Sequence, residues 1–155
     1  MTPSTLRGLI PLTLAAALAI SGCTNDEPAD STDTLVSHTW SLVSATDAQG
    51  EAAKALTSGD QAPIELVFQS ERMGVTNACN NLSGTYQVKG DTLEIGDLAQ
   101  TMMACEPELM AREEAIKDYL KKPLSFTLGE NNSRLTLSNE NGNIVFQAND
   151  STTAP

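Results

Sequence analysis

Cysteine and histidine can take part in nucleophilic catalysis and are common zinc ligands, and this 155-residue sequence contains three cysteines and one histidine, His38. A Cys-His or Ser-His nucleophile would have to use His38, whose sequence neighbours are strand-forming residues without an orienting acid. We therefore expect His38 to be a half-exposed structural residue, and we predict no catalytic residues. Classical zinc sites need several Cys or His ligands, so we expect neither a metal ion nor another cofactor.

Methionine sulfur offers a second possible chemistry, because soft thioether and thiolate ligands select Cu(I). Successive residues of a strand point to opposite faces, so Met102 and Met103 are not expected to bind one ion together. We therefore expect the sulfur-containing residues of this region to pack in the core. These residues are Met73, Met102, Met103, Cys105 and Met110.

Carboxylates follow Cys105 closely enough to suggest an acid and base pair. Such a pair needs one member whose pKa is raised by its surroundings, and the flanking residues are not of a kind that would raise it. We predict a solvated helix face instead, formed by Glu106, Glu108, Glu113, Glu114 and Asp118.

Cys23 ends a short apolar segment near the amino terminus. Arg7 precedes an apolar run over residues 9–20, and the sequence Ser-Gly-Cys23 follows. The run is shorter than the roughly 20 residues of a membrane-spanning helix, and this order of residues is typical of a lipoprotein signal peptide. We predict that residues 1–22 are cleaved and that Cys23 is lipidated with palmitate. An ordinary signal peptide with a chance cysteine is the alternative.

Assigning Cys23 to the lipid leaves Cys79 and Cys105 as an even pair. An oxidising envelope compartment favours a disulfide between them, and two buried free thiols are the alternative. The formal net charge of −11 disfavours nucleic acid, which needs a basic surface. We expect the protein to face the periplasm from a membrane lipid. The outer membrane is favoured over the inner because Thr24 is not the aspartate that retains some lipoproteins.

Low hydrophobicity predicts that residues 23–34 are a lipidated, flexible acidic tether, and residues 149–155 are expected to be a disordered tail. The folded domain is therefore expected over residues 35–148. Its first strand is predicted from Leu35 to Ala45, where β-branched and aromatic residues are frequent. The residues expected to be buried in this strand are Val36, Trp40, Leu42 and Val43.

Alternating apolar residues predict short strands along the rest of the domain. Turn residues from Asn77 to Gly84 predict an irregular loop around Cys79. The expected fold class is α+β: a small antiparallel β-barrel-like or curled sheet of about eight strands with one main helix packed on it. The further strands are predicted at residues 64–68, 72–76, 85–88, 92–95, 98–103, 124–128, 134–138 and 144–148.

The main helix is predicted between two prolines. Pro107 suits a first helical turn and Pro123 ends the run. Charged residues four positions apart predict two ion pairs on its outer face. These pairs are Glu113 with Lys117 and Asp118 with Lys122.

The central stretch resembles the signature of the META domain family, in particular its HslJ-like heat-shock lipoproteins. The likeness covers residues 35–148 and includes Trp-Ser-Leu, Cys-Asn, Ser-Gly-x-Tyr and Thr-x-Met-x-Cys before an acidic helix. Ala78 and Met102 stand where Gly and Arg are frequent in the family. The matching residues, which we expect to be structural, are Trp40, Asn80, Gly84, Tyr86, Thr101 and Met103.

The resemblance implies an envelope protein associated with stress tolerance, including heat response and novobiocin resistance, and without an agreed enzymatic activity. We therefore predict a non-catalytic, lipid-anchored protein that binds an unknown envelope protein or a small ligand. The alternative is a periplasmic enzyme inhibitor, which would use an exposed loop such as Asn77 to Gly84, or a pilotin-like assembly lipoprotein.

Overall fold

The computed structural model describes residues 29–149, which form nine β-strands and three α-helices. The strands are β1 (Thr39–Asp47), β2 (Glu65–Phe68), β3 (Arg72–Thr76), β4 (Leu82–Lys89), β5 (Thr92–Ile95), β6 (Ala99–Gln100), β7 (Leu124–Gly129), β8 (Arg134–Asn139) and β9 (Gly142–Asn149). The helices are α1 (Ala29–Ser37), α2 (Lys54–Thr57) and α3 (Pro107–Leu120).

Eight of these strands close into an antiparallel barrel. The hydrogen-bonded order runs β3-β2-β1-β9-β8-β7-β5-β4, and pairing of β3 with β4 completes the ring. The short strand β6 pairs with the first two residues of β4, Leu82 and Ser83, and is not part of the ring. Closure gives each barrel strand a neighbour on both sides, so that its backbone N–H and C=O groups find hydrogen-bond partners. The predicted α+β class, with a small antiparallel barrel and one main helix, is confirmed.

Apolar residues at alternate strand positions fill the barrel. Trp40, Phe68 and Phe146 are among the largest side chains with almost no solvent exposure. Ile116 and Leu120 of α3 belong to the same hydrophobic core. Burying side chains of this size stabilises the fold by roughly 1.5–3 kcal/mol each. The core therefore fixes both the barrel and the position of α3 against it.

Hydrogen bonds at its carboxyl end also hold α3 in place. The Tyr119 hydroxyl donates to the carbonyl oxygen of Thr46 at 2.7 Å. Asn139 Nδ2 donates to the Tyr119 carbonyl at 2.9 Å. Burial raises the pKa of the Tyr119 hydroxyl, and the nearby Asp47 carboxylate raises it further. These contacts tie the helix to β1 and to the end of β8.

The amino-terminal part of the domain differs from the sequence prediction. Residues 29–37 form helix α1, so the ordered domain starts before residue 35 and Leu35 is not in a strand. Leu35 is fully buried and its carbonyl accepts a hydrogen bond from Trp40 Nε1 at 3.0 Å. Val36, expected to be buried, is 38% exposed because it lies on the outer side of this helix. Residues 1–28, with the predicted signal peptide and Cys23, lie outside the described residues, as do residues 150–155.

The expected burial of Val43 is wrong, because Val43 follows the buried Leu42 on β1 and successive residues of a strand point to opposite faces. Leu42 pairs with Phe146 of β9, and the next pair is Ser44 with Val145, so Val43 is an extra residue on β1. An extra residue reverses the alternation of faces beyond it. Leu42 is buried and Val43 is 50% exposed, and beyond the bulge Ser44 is exposed while Ala45 is buried.

Three further details of the predicted elements are wrong. The strand predicted over residues 98–103 is present only as the two residues of β6. Strand β4 begins at Leu82 and so takes Gly84 out of the predicted loop. On α3, Asp118 pairs with Lys121 at 3.0 Å, and Lys122 pairs with Glu140 on the β8–β9 turn. Long, flexible lysine side chains reach whichever carboxylate the fold brings near, and sequence spacing alone does not decide the choice.

Candidate functional site

A disulfide joins the loop after β3 to the segment that leads into α3. Cys79 and Cys105 are bonded, with their Cα atoms 5.7 Å apart, which lies in the ordinary range for a disulfide. Cys79 is 7% exposed. The bond therefore fixes the start of α3 to the barrel, and neither cysteine offers a thiolate for nucleophilic or metal chemistry.

Asn80 holds the same two segments together by hydrogen bonds. Its side-chain Oδ1 accepts from Met103 N at 2.7 Å and from Thr101 Oγ1 at 2.8 Å. Its Nδ2 lies 3.5 Å from the Met103 carbonyl oxygen. The Thr101 hydroxyl also accepts from the backbone N–H of Asn81 at 3.2 Å. Asn80 is 5% exposed, so these bonds satisfy a buried amide that would otherwise be costly.

Glu113 of α3 completes this arrangement and corrects the prediction of a solvated carboxylate. It is 6% exposed, and its Oε2 accepts from the backbone N–H of Asn80 at 2.7 Å. Lys117 Nζ lies 3.9 Å from Oε1 of Glu113, so the predicted pair of these two residues is present. The neighbouring acid, Glu114, is exposed and pairs with the same Lys117 at 3.7 Å, whereas Glu113 acts as a structural acceptor for the N–H of Asn80.

Three methionines surround a cleft above the disulfide, which we call the methionine cleft. Met102 is 91% exposed, Met103 63% and Met110 55%. The cleft has a volume of about 410 Å³, and Gln100, Glu114 and Lys117 also line it.

These exposures contradict the expected core packing of Met102, Met103 and Met110, whereas Met73 is buried as expected. Met102 and Met103 lie in residues 101–106, which do not form a strand, and Met110 lies on an exposed side of α3. The side chain of Asn80 contacts the backbone N–H and carbonyl of Met103, which a neighbouring strand would otherwise hydrogen-bond. The alternation of faces, from which we predict that Met102 and Met103 do not bind one ion together, therefore does not apply to this segment.

The residues that resemble a family signature occupy contact points between barrel elements. The Tyr86 hydroxyl donates to the Gln69 carbonyl oxygen at 2.7 Å. The rings of Tyr86 and Phe68 pack edge to face, with their centroids 5.1 Å apart. Burial raises the pKa of Tyr86. At Gly84, a Cβ would lie 3.0 Å from Leu98 Cδ2 and 3.1 Å from the Asp97 carbonyl oxygen. The chain outside β4 leaves no room there for a side chain.

His38 is half-buried and stacks edge-on against Trp40, with the ring centroids 5.4 Å apart. Residues 29–149 contain no group of three or more His, Cys, Asp or Glu side chains arranged to hold a metal ion. None of the helices described for these residues is long and apolar enough to cross a membrane.

Comparisons with known proteins identify the domain type. The model of the META domain family matches residues 33–151. A protein from Burkholderia xenovorans, solved by NMR, is 25% identical; the match covers 92% of this chain and 99% of that one, with a TM-score of 0.63.

Two further solved structures share the fold. A protein solved by NMR is 23% identical over 79% of this chain and 97% of its own, with a TM-score of 0.61. The crystal structure of a DUF4847 family protein from Bacteroides vulgatus is 16% identical over 78% of this chain and 99% of its own, with a TM-score of 0.54. No curated protein matches the chain.

Proposed function

The chain belongs to the META domain family, and from this premise we propose that it is a non-catalytic binding protein of the bacterial envelope. Its anchor is a lipid on Cys23, and the outer membrane is its more favourable location. Its role, as in the HslJ-like members of the family, is tolerance of heat or antibiotic stress. It acts by binding a partner, an envelope protein or a small ligand, at the methionine cleft.

The observation that carries this proposal is the exposure of Met102, Met103 and Met110 around one cleft. Methionine is usually buried, and a cluster of exposed apolar side chains on a small domain is typical of a binding surface. Thioether side chains are flexible and polarizable, so they adapt to different apolar partners. Glu114 and Lys117 at the rim of the cleft add polar groups that would orient a partner.

The framework below the cleft supports a binding role. The disulfide and Asn80 hold the backbone of Met103 in a fixed position. A surface whose backbone is held rigidly loses less entropy when a partner binds. Flexible methionine tips on a fixed backbone therefore combine adaptability with a small entropic cost.

Site-specific photocrosslinking in cells of the producing bacterium tests the proposal. A photoreactive amino acid at position 102 or 110 should give a discrete crosslinked product. The matched control is position 43, because Val43 is also half exposed and does not line the cleft. Products that are the same at all three positions, or their absence at 102 and 110, would contradict binding at the cleft.

The identity of the crosslinked partner separates the proposal from its alternatives. A secreted hydrolase as partner, inhibited by the purified domain, would indicate the enzyme inhibitor. A subunit of a secretion or pilus assembly would indicate the pilotin-like lipoprotein. The stress role would be supported by a partner whose cellular amount changes how well the bacterium survives heat or novobiocin.

A further inference from the structure

Arg112 of α3 is a buried cation without a partner in the part of the chain that the structure describes. The residue is 4% exposed, and its Nε and Nη1 atoms are buried without a hydrogen-bond acceptor. Burial lowers the pKa of the guanidinium, which is the direction expected for a cation removed from water. An unpaired buried charge is costly, so a counter-charge from outside the domain would stabilise this site.

A second cleft lies beside Arg112, between α2 and α3. Its volume is about 330 Å³, which falls in the range of small-molecule pockets, about 300–1,000 Å³. Ala55, Leu109 and Ala111 give it an apolar wall, and Lys54 at the rim adds a second cation. None of the residues that line the methionine cleft lines this one, so the two clefts are separate sites on different sides of α3.

We propose that this second cleft binds a small organic carboxylate with an apolar body. The carboxylate pairs with the guanidinium of Arg112, whose planar fork matches two carboxylate oxygens. The apolar body lies against Leu109 and Ala55. The exposed side chains of Lys54 and Gln61 line the entrance, and their movement gives the ligand access to Arg112.

The charges around the cleft favour a monoanion. Arg112 and Lys54 contribute two positive charges, and Glu108, which also lines the cleft, contributes one negative charge. Lys54 and Glu108 are exposed, so solvent screens their effects. The buried Arg112 therefore contributes most of the attraction for an anionic ligand. Glu108 and the negative net charge of the protein would repel a ligand with two negative charges.

Titration of the purified protein with octanoate, followed by NMR, tests the proposal. Saturable shifts should occur at residues of α2 and at the amino-terminal half of α3. Octanamide, which has the same body without the charge, should bind at least about tenfold more weakly, because a hydrogen bond to a charged group is lost. Inorganic phosphate, which has charge without an apolar body, should not saturate at the same concentrations.

Arg112→Met tests the role of the guanidinium. Octanoate should bind this variant at least about tenfold more weakly, while its melting temperature should not fall, because the buried unpaired charge is removed. Arg72→Met is the matched control, since Arg72 is exposed on β3 and does not line the cleft; its octanoate affinity should equal that of the original protein.

Three results would overturn the proposal. One is equal affinity for octanoate and octanamide, which requires no variant to fold. Another is unchanged octanoate affinity in Arg112→Met. The third is the absence of saturable shifts with octanoate up to the millimolar range in the original protein.

Discussion

The carboxylate of Glu113 is held inside the domain by the backbone N–H of Asn80, at 2.7 Å, and by Lys117. It gives the N–H of Asn80 an acceptor that no barrel strand supplies. A charge-assisted bond of this kind is shorter and stronger than a neutral one. At the scale of single residues, Glu113 therefore connects α3 to the loop that carries the disulfide.

Replacing Glu113 with Ala should lower the free energy of unfolding by about 1–3 kcal/mol, because it leaves the buried N–H of Asn80 without an acceptor. Chemical denaturation followed by circular dichroism measures the change. Glu114→Ala is the matched control on the next position, and its exposed ion pairs contribute at most about 1 kcal/mol. Equal losses in the two variants would show that the bond to Asn80 does not stabilise the fold.

The crossing of β4 by residues 96–98 is a contact between elements that requires Gly84. We expect Gly84→Ala to lower the free energy of unfolding by about 1–3 kcal/mol, because the added methyl group would press on Leu98 and on the Asp97 backbone. Gly129 in β7 provides the control, because a Cβ added there would have no atom within 4 Å. Gly129→Ala should change stability by less than about 1 kcal/mol, and a Gly84 variant as stable as this control would refute the steric argument.

The disulfide constrains the whole region between β3 and α3. Its cysteines are 26 positions apart, and closing a loop of this length stabilises a fold by about 3.5 kcal/mol in the chain-entropy model. We expect the double variant Cys79→Ser and Cys105→Ser to lose about that much, measured by thermal and chemical unfolding. The original protein in excess reductant should unfold like the variant. If oxidised and reduced protein melt at the same temperature, the bond has no stabilising role.

The described residues form a closed barrel in an acidic chain, which has a formal net charge of −11, and the two clefts that we propose as binding sites lie along α3. Such a surface repels anionic lipid headgroups, so the barrel itself is unsuited to adhere to a membrane. Attachment through a lipid at one end of the chain would leave both clefts free for binding. The anchor and the binding sites are therefore separate parts of the proposed function.

Cys23→Ser should release the protein from the membrane fraction, because stable attachment then lacks its acyl chains. Fractionation and immunoblotting measure the distribution. Mass spectrometry of the original protein should show an acylated Cys23 as its first residue, without residues 1–22. An unmodified cysteine in protein that still sediments with membranes would rule out the lipid anchor.

The sequence by itself determined the α+β class and most of the strands, because alternation of apolar residues is a local signal. Pro107 and Pro123 marked the ends of α3 in the same way, and an even pair of cysteines predicted the bond between Cys79 and Cys105. The similarity to the META domain family was also readable from the central stretch, and the family match confirms it. The HslJ-like subgroup and the lipid on Cys23 stay predictions.

Only the tertiary structure decided which polar residues are buried and which apolar ones are exposed. Glu113 is buried because its partner Asn80, 33 positions away, faces it across the fold. Met103 is exposed because Asn80 holds its backbone outside any strand. A bulge in β1 turned Ser44 outward and Ala45 inward, and the approach of α2 to α3 buried Arg112. Local patterns do not contain these long-range contacts, and the two proposed binding sites depend on them.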